Sequence, residues 1–96
     1  MSVYFIAQVR VDDAEGYARY AARAGSGLVA AGGKVLTADD SPVPVEGEWF
    51  GPRTVVIEFE SEEAFRGWYD SPDYQEAVKL RFESTESRAV LVHGLG

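Results

Sequence analysis

The stretch Val3-Tyr4-Phe5-Ile6-Ala7-Gln8-Val9-Arg10-Val11, running into Asp12-Asp13 and then a helical pattern, decides the fold. Side chains alternate across a strand, so Val3, Phe5, Ala7, Val9 and Val11 share one face and Tyr4, Ile6, Gln8 and Arg10 the other. The first face is wholly apolar and must be covered; the second is mixed. Asp12 and Asp13 are helix-start residues, since a short carboxylate accepts from free backbone N–H groups and suits the positive end of the helix dipole. A strand with one face to bury, leading directly into a helix, opens a layered α+β unit.

Downstream, Ala14 to about Ala31 is read as a helix with Tyr17, Tyr20, Ala21, Ala24 and Leu28 on one stripe. Gly25-Ser26-Gly27 interrupts it, each glycine costing about 1 kcal/mol relative to alanine, which predicts a kink or break. Gly32-Gly33 ends the element, because glycine accepts the left-handed cap conformation. Lys34–Ala38 reads as a short second strand. Asp39 to Pro52, with Pro42 and Pro44, reads as a long loop with a short extended piece at Val43–Glu46, suited to an interaction arm or lid. Arg53 to Glu60 is the third strand, with Val55, Ile57 and Phe59 opposite Thr54, Val56 and Glu58.

Ser61 caps a helix that carries Glu62 and Glu63 in its first turn and Ala64, Phe65, Trp68 and Tyr69 as its apolar stripe. Ser71-Pro72 restarts a helix, to about Thr85, because proline suits the first helical position. Ser87 to His93 is the last strand, followed by a short tail. The order β, α, β, β, broken α, β predicts a single domain over residues 1–96. Its class is α+β, a ferredoxin-like βαββαβ unit with a four-stranded antiparallel sheet and helices on one face.

Composition narrows the function classes. The net charge of −7, with no cluster of Lys or Arg, excludes a phosphate-binding stripe and so argues against nucleic acid. It also argues against an anionic membrane surface, and no apolar run is long enough to span a bilayer. No basic and apolar leader precedes the first strand, so a cytoplasmic location is expected. Without cysteine there is neither a disulfide framework nor a thiolate metal cage, and no metal or other cofactor is expected. Motifs for nucleotides, zinc hydrolysis, calcium and serine hydrolysis are missing. A chain this short buries only about two thirds of its unfolded surface, which gives it reason to oligomerise. The mixed sheet face, too apolar in its centre for water and too polar for a sealed core, is expected to meet its copy across a homodimer axis and enclose a partly polar cavity.

Tyr4-Phe5-Ile6, Tyr17 with Tyr20, Gly32-Gly33, Glu46-Gly47-Glu48-Trp49, Pro52-Arg53, Glu58-Phe59, Trp68-Tyr69, Ser71-Pro72-Asp73-Tyr74-Gln75, Arg81 and Val92-His93-Gly94 together resemble domain-of-unknown-function family 1330. The resemblance covers nearly the whole chain, and Trp68 to Gln75 is its most specific part. Gly25-Ser26-Gly27 and His93 depart from the family pattern. The family is similar to the dimeric α/β-barrel superfamily, whose subunits pair sheet to sheet and which includes cofactor-independent monooxygenases, muconolactone isomerases and haem-binding relatives. The resemblance implies the fold and the dimer; one fold carries many chemistries, so it does not imply a reaction.

Eight polar or aromatic residues are candidates for a site. Glu58, on the mixed face, is either a proton-transfer group whose charge a dry cavity disfavours or the partner of Arg10, Arg53 or Arg81. His93, the only histidine, is either a proton carrier or an exposed strand-end residue, and alone it makes a poor metal or haem site. Arg81, on an inward helical stripe, must pair with a carboxylate or bind an anion. Tyr4, Trp68 and Tyr74 are either packing groups or a pocket wall, and Tyr20 and Tyr69, outside the eight, are read the same way. Arg10 and Arg53 complete the candidate binding set, with Glu58 and His93 as the candidate catalytic pair. The primary reading is a dimeric domain that binds a small apolar or aromatic molecule. The alternatives are a cofactor-independent monooxygenase or isomerase and a non-enzymatic interaction protein.

Overall fold

The alternating and helical patterns resolve into seven elements in a computed structural model that describes residues 1–96. They are β1 (Val3–Val11), α1 (Ala14–Ala30), β2 (Lys34–Asp39), β3 (Arg53–Phe59), α2 (Glu62–Tyr69), α3 (Pro72–Ser84) and β4 (Thr85–His93). The sheet order is β2-β3-β1-β4 with every pair antiparallel. The helices lie on one face, giving the ferredoxin-like arrangement expected from the element order. No helix is long and apolar enough to cross a membrane.

The apolar face of β1 is the floor of the core. Val3, Phe5, Ala7 and Val9 are buried with Ile57 and Phe59 of β3, under Phe65 and Trp68 of α2 and Tyr74 and Val78 of α3. Register explains the set: Val3 pairs with Phe59, Phe5 with Ile57 and Ala7 with Val55, so like faces coincide across the ladder. Each large side chain buried here contributes about 1.5–3 kcal/mol.

Capping fixes where the helices begin. The Asp13 carboxylate accepts from Gly16 N–H at 3.2 Å, Ser61 Oγ from Ala64 N–H at 3.1 Å and Ser71 Oγ from Tyr74 N–H at 3.1 Å. Such a cap stabilises by about 1 kcal/mol. At the α2–α3 break, Ser71 Oγ also donates to Trp68 O at 2.8 Å and Gln75 Nε2 donates to Tyr69 O at 2.7 Å, so the carbonyls freed by the interruption are satisfied.

Three local expectations need correction. Helix α1 runs unbroken through Gly25-Ser26-Gly27. Its ends are held: Asp12 and Asp13 N–H both donate to Ser84 O, and Leu28 is buried near the turn at Gly32, whose φ is +81°. Tertiary anchoring at both ends outweighs the helix penalty of two glycines. Second, β4 begins at Thr85 rather than Ser87. Ser84 Oγ donates to Leu80 O and Thr85 Oγ1 to Arg81 O, each at 2.6 Å, so the last carbonyls of α3 find partners and the chain extends without a loop. Third, Val43–Glu46 forms no strand; the β2–β3 connection is irregular throughout. It folds back at its end, with Trp49 Nε1 donating to Thr54 Oγ1 at 2.9 Å and Arg88 lying 4.0 Å from the centre of the Phe50 ring.

Candidate functional site

Small side chains on facing surfaces leave a space between α1 and the sheet. Ala7 on β1 and Ala38 on β2 face Ala21, Ala24 and Gly25 on α1, and the result is a cavity of about 200 Å³. Only Gly16 and Leu28 of α1 are buried. They are twelve residues apart, about 18 Å of helix, and the segment between them roofs the cavity. Phe5, Val9, Val55 and Ile57 form the floor, Val35 the outer edge and Trp68 the inner wall. For scale, an apolar protein cavity of about 150 Å³ holds one benzene molecule.

The sequence points to the opposite sheet face, enclosed by a second subunit, as the place of a cavity. Within one subunit an apolar space also opens on the helix side, because alanines and a glycine meet there where bulky residues would have closed it. The open face carries a shallower hollow of about 170 Å³, lined by Ile6, Gln8, Arg88, Ala89 and Val90.

Polar groups collect at one part of the helix-side cavity. Tyr17, Tyr20, Arg53 and Arg81 line it, and Tyr74 stands behind Tyr20. Arg53 Nε donates to Tyr17 Oη at 3.0 Å and its Nη1 bonds Asp40 at 2.8 Å. That bond to Asp40 holds the Arg53 guanidinium even above its ordinary range, with the Tyr17 hydroxyl adding to it and partial burial opposing. The Tyr20 and Tyr74 hydroxyls are 2.7 Å apart, and the Trp68 and Tyr74 ring centres 4.0 Å apart.

Burial pushes the Tyr20 phenol up, against the opposing pull of the Arg81 charge and of the bond with Tyr74. Burial also pushes Tyr74 up, reinforced by Tyr20. Both therefore keep their protons at neutral pH, and one hydroxyl donates to the other.

Arg81 is 4% exposed. Its guanidinium lies 5.6 Å from the centre of the Tyr20 ring and 5.5 Å from that of Phe82. No carboxylate comes within ion-pair distance of it, and its Nε has no hydrogen-bond partner in the protein.

Of the eight residues named from sequence, Arg53, Trp68 and Arg81 line this cavity and Tyr74 backs it. Tyr4, Arg10, Glu58 and His93 do not. Glu58 is on the open face, in register between Tyr4 and Lys34, and makes no ion pair with Arg10, Arg53 or Arg81. Tyr4 is beside it, half-buried. Arg10 is exposed and pairs with Asp12 at 3.0 Å and Glu86 at 2.8 Å, contacts of little energetic weight. His93 Nε2 is 3.0 Å from Glu62 Oε1, both exposed, and ties the end of β4 to the start of α2. Tyr17 is the polar lining residue that the sequence did not single out for a site. Its place on the α1 stripe with Tyr20 was the available signal.

A comparison with curated proteins gave no match. Among solved structures, the RPA0582 protein of unknown function from Rhodopseudomonas palustris is similar at 25% identity and a TM-score of 0.81, covering 99% of this chain and 83% of its own. SnoaB, a cofactor-independent oxygenase from Streptomyces nogalater, is similar at 12% identity and a TM-score of 0.68, over 99% of this chain and 94% of that one. HapK from Hahella chejuensis is similar at 15% identity and a TM-score of 0.65, over 100% and 94%. At such identities the last two likenesses concern the ferredoxin-like fold alone. The sequence itself matches the "Domain of unknown function (DUF1330)" family over residues 2–95, and the protein therefore belongs to that family.

Proposed function

We propose that the protein binds a small, mainly apolar or aromatic molecule in the cavity between α1 and the sheet, as a homodimer paired through the open sheet faces. The observation that carries the binding reading is the cavity of about 200 Å³, apolar on its floor and roof with a few convergent polar groups, the usual build of a small-molecule site. The dimer is supported by the open face, where Val90 and Val92 are exposed beside half-buried Ile6 and Val56. Contiguous apolar surface of this kind marks an interaction site.

A cofactor-independent oxygenase or isomerase is the second reading, favoured by the placement of Arg81, which could stabilise an enolate-like oxygen at the cavity wall. Neither Glu58 nor His93 lines this cavity, so neither reaches a substrate bound there to carry its proton.

Chemical-shift mapping by NMR with benzyl alcohol, a neutral one-ring probe, tests the binding site. Shifts should concentrate at the Ala21, Ala24 and Gly25 amides and the Trp68 indole, and Glu58→Gln should leave the affinity within about twofold. Shifts confined to Ile6, Arg88 and Val90 would move the site to the open face. A native mass spectrum of the same sample reads the dimer; a monomer at micromolar concentration would remove that part of the proposal.

A further inference from the structure

Arg81 carries a full positive charge into an interior that offers it no counter-charge. Arg53, the other cation of the cavity, is already matched by Asp40 at 2.8 Å. No Asp or Glu lines the cavity, although the chain as a whole has a net charge of −7. The neighbours along the chain offer no acid either: Ala77, Val78 and Ser84 of α3 and Thr85 at the start of β4 lie three or four positions away. Two aromatic rings attract the guanidinium, but a ring face does not replace a hydrogen-bond acceptor, and Nε has none. A buried charge left this way costs stability unless something completes it.

The phenol pair beside it has the same shortfall. Tyr20 and Tyr74 hydroxyls bond only each other. Two protons serve one bond, so whichever hydroxyl accepts retains a proton with no acceptor in the chain. Arg81 and this leftover donor adjoin the same Tyr20 ring, at the cavity wall. Both lack one thing, an acceptor that is preferably anionic and able to take more than one hydrogen bond. A carboxylate meets that description, since a guanidinium binds its two oxygens side by side.

We propose that the cavity takes a small aromatic monocarboxylate, its carboxylate held by the Arg81 guanidinium beside the Tyr20–Tyr74 hydroxyl pair and its ring against the alanines of α1 and Trp68. The proposal rests on the cavity binding put forward above and adds the charge of the ligand to it. Arg81 and Tyr20 set specificity for an anionic head, and the apolar walls set the size of the body.

Benzoate and benzamide, nearly equal in shape and different in charge, make the test, with NMR titration at neutral pH as the readout. Benzoate should bind at least roughly tenfold more tightly than benzamide, the scale of a charged hydrogen bond. Arg81→Met should abolish that preference, with benzoate losing at least roughly tenfold more affinity than benzamide. Tyr20→Phe should reduce the preference in part. Removal of an unpartnered buried charge should also leave the melting temperature of ligand-free Arg81→Met equal to or above that of the wild type. Equal binding of the two probes by the wild type, with shifts in the cavity, would overturn the anion assignment and leave the cavity reading standing. Failure of both probes to bind would overturn both. A lower melting temperature in Arg81→Met with both affinities reduced alike would make Arg81 a packing residue and overturn the proposal.

Discussion

Replacing Phe59 with alanine should lower the unfolding free energy by about 3–5 kcal/mol, a large part of the roughly 5–15 kcal/mol that holds a domain together. Phe59 is 1% exposed and closes the core at the point where strand and helix layers meet. Its ring stands edge-on to Phe65 at 5.4 Å and tilted against Trp68 at 5.6 Å. Antiparallel pairing with Val3 fixes it from below. Loss of the ring removes buried area and leaves a void that rigid neighbours cannot fill, and the void adds to the cost. Urea unfolding gives the measurement. The midpoint should fall with the slope unchanged, and a loss under about 1 kcal/mol would mean that the core relaxes around the site.

Gly51→Ala should be the next most damaging change, for reasons of backbone rather than burial. Gly51 has φ of +91°, and a Cβ there would lie 2.9 Å from Val9 O and 3.1 Å from Val9 N. The conformation alone costs a residue with a side chain about 1–3 kcal/mol. The clash adds to this, because its partners are main-chain atoms of the central strand and cannot rotate away. Gly47→Ala is the control: φ is +70° there too, but a Cβ would meet open space, so only the conformational cost applies. The difference between the two urea midpoints isolates the close approach to Val9. Equal losses would show that the loop end can lift off β1 without penalty. Trp49, bonded to Thr54, reports independently by fluorescence whether the loop has shifted.

The fold was legible because its signals are local and agree. Alternation in β1 and β3, caps at Asp13, Ser61 and Ser71, and Pro72 at the start of α3 each point to the observed element, and the order of elements leaves few topologies. Ser84 and Thr85 show where local reading fails. Their hydroxyls return to helix carbonyls, a partnership that depends on the turn already existing.

The site was only half legible, because a cavity is a difference between facing surfaces. Alanines at 7, 21 and 24 look like ordinary helix and strand residues until they are seen opposite one another. Arg81 could be read as an inward charge from its place on the helix. That no carboxylate meets it is a property of the assembled layers. Strand alternation already put Glu58 on the open face in the sequence; that none of Arg10, Arg53 and Arg81 pairs with it there is visible only in the assembled sheet.

Helix α1 is a beam resting on Gly16 against Ser84, on Tyr17 and Tyr20 against Arg53 and Tyr74, and on Leu28 against the turn at Gly32-Gly33, and the span from Ala21 to Gly25 between the last two supports lies over the cavity. Two of its three weakest helix formers, Gly25 and Gly27, lie toward the far support, and Gly25 lies over the void. Backbone amides between Ala21 and Gly27 should therefore exchange with deuterium faster than those near either support, through openings that leave the rest of the domain intact. A uniform rate along the helix would mean that the beam is stiffer than its footing suggests. Anything that fills the space beneath should slow mid-span exchange most, so a protected middle would record occupancy even when the occupant is unknown.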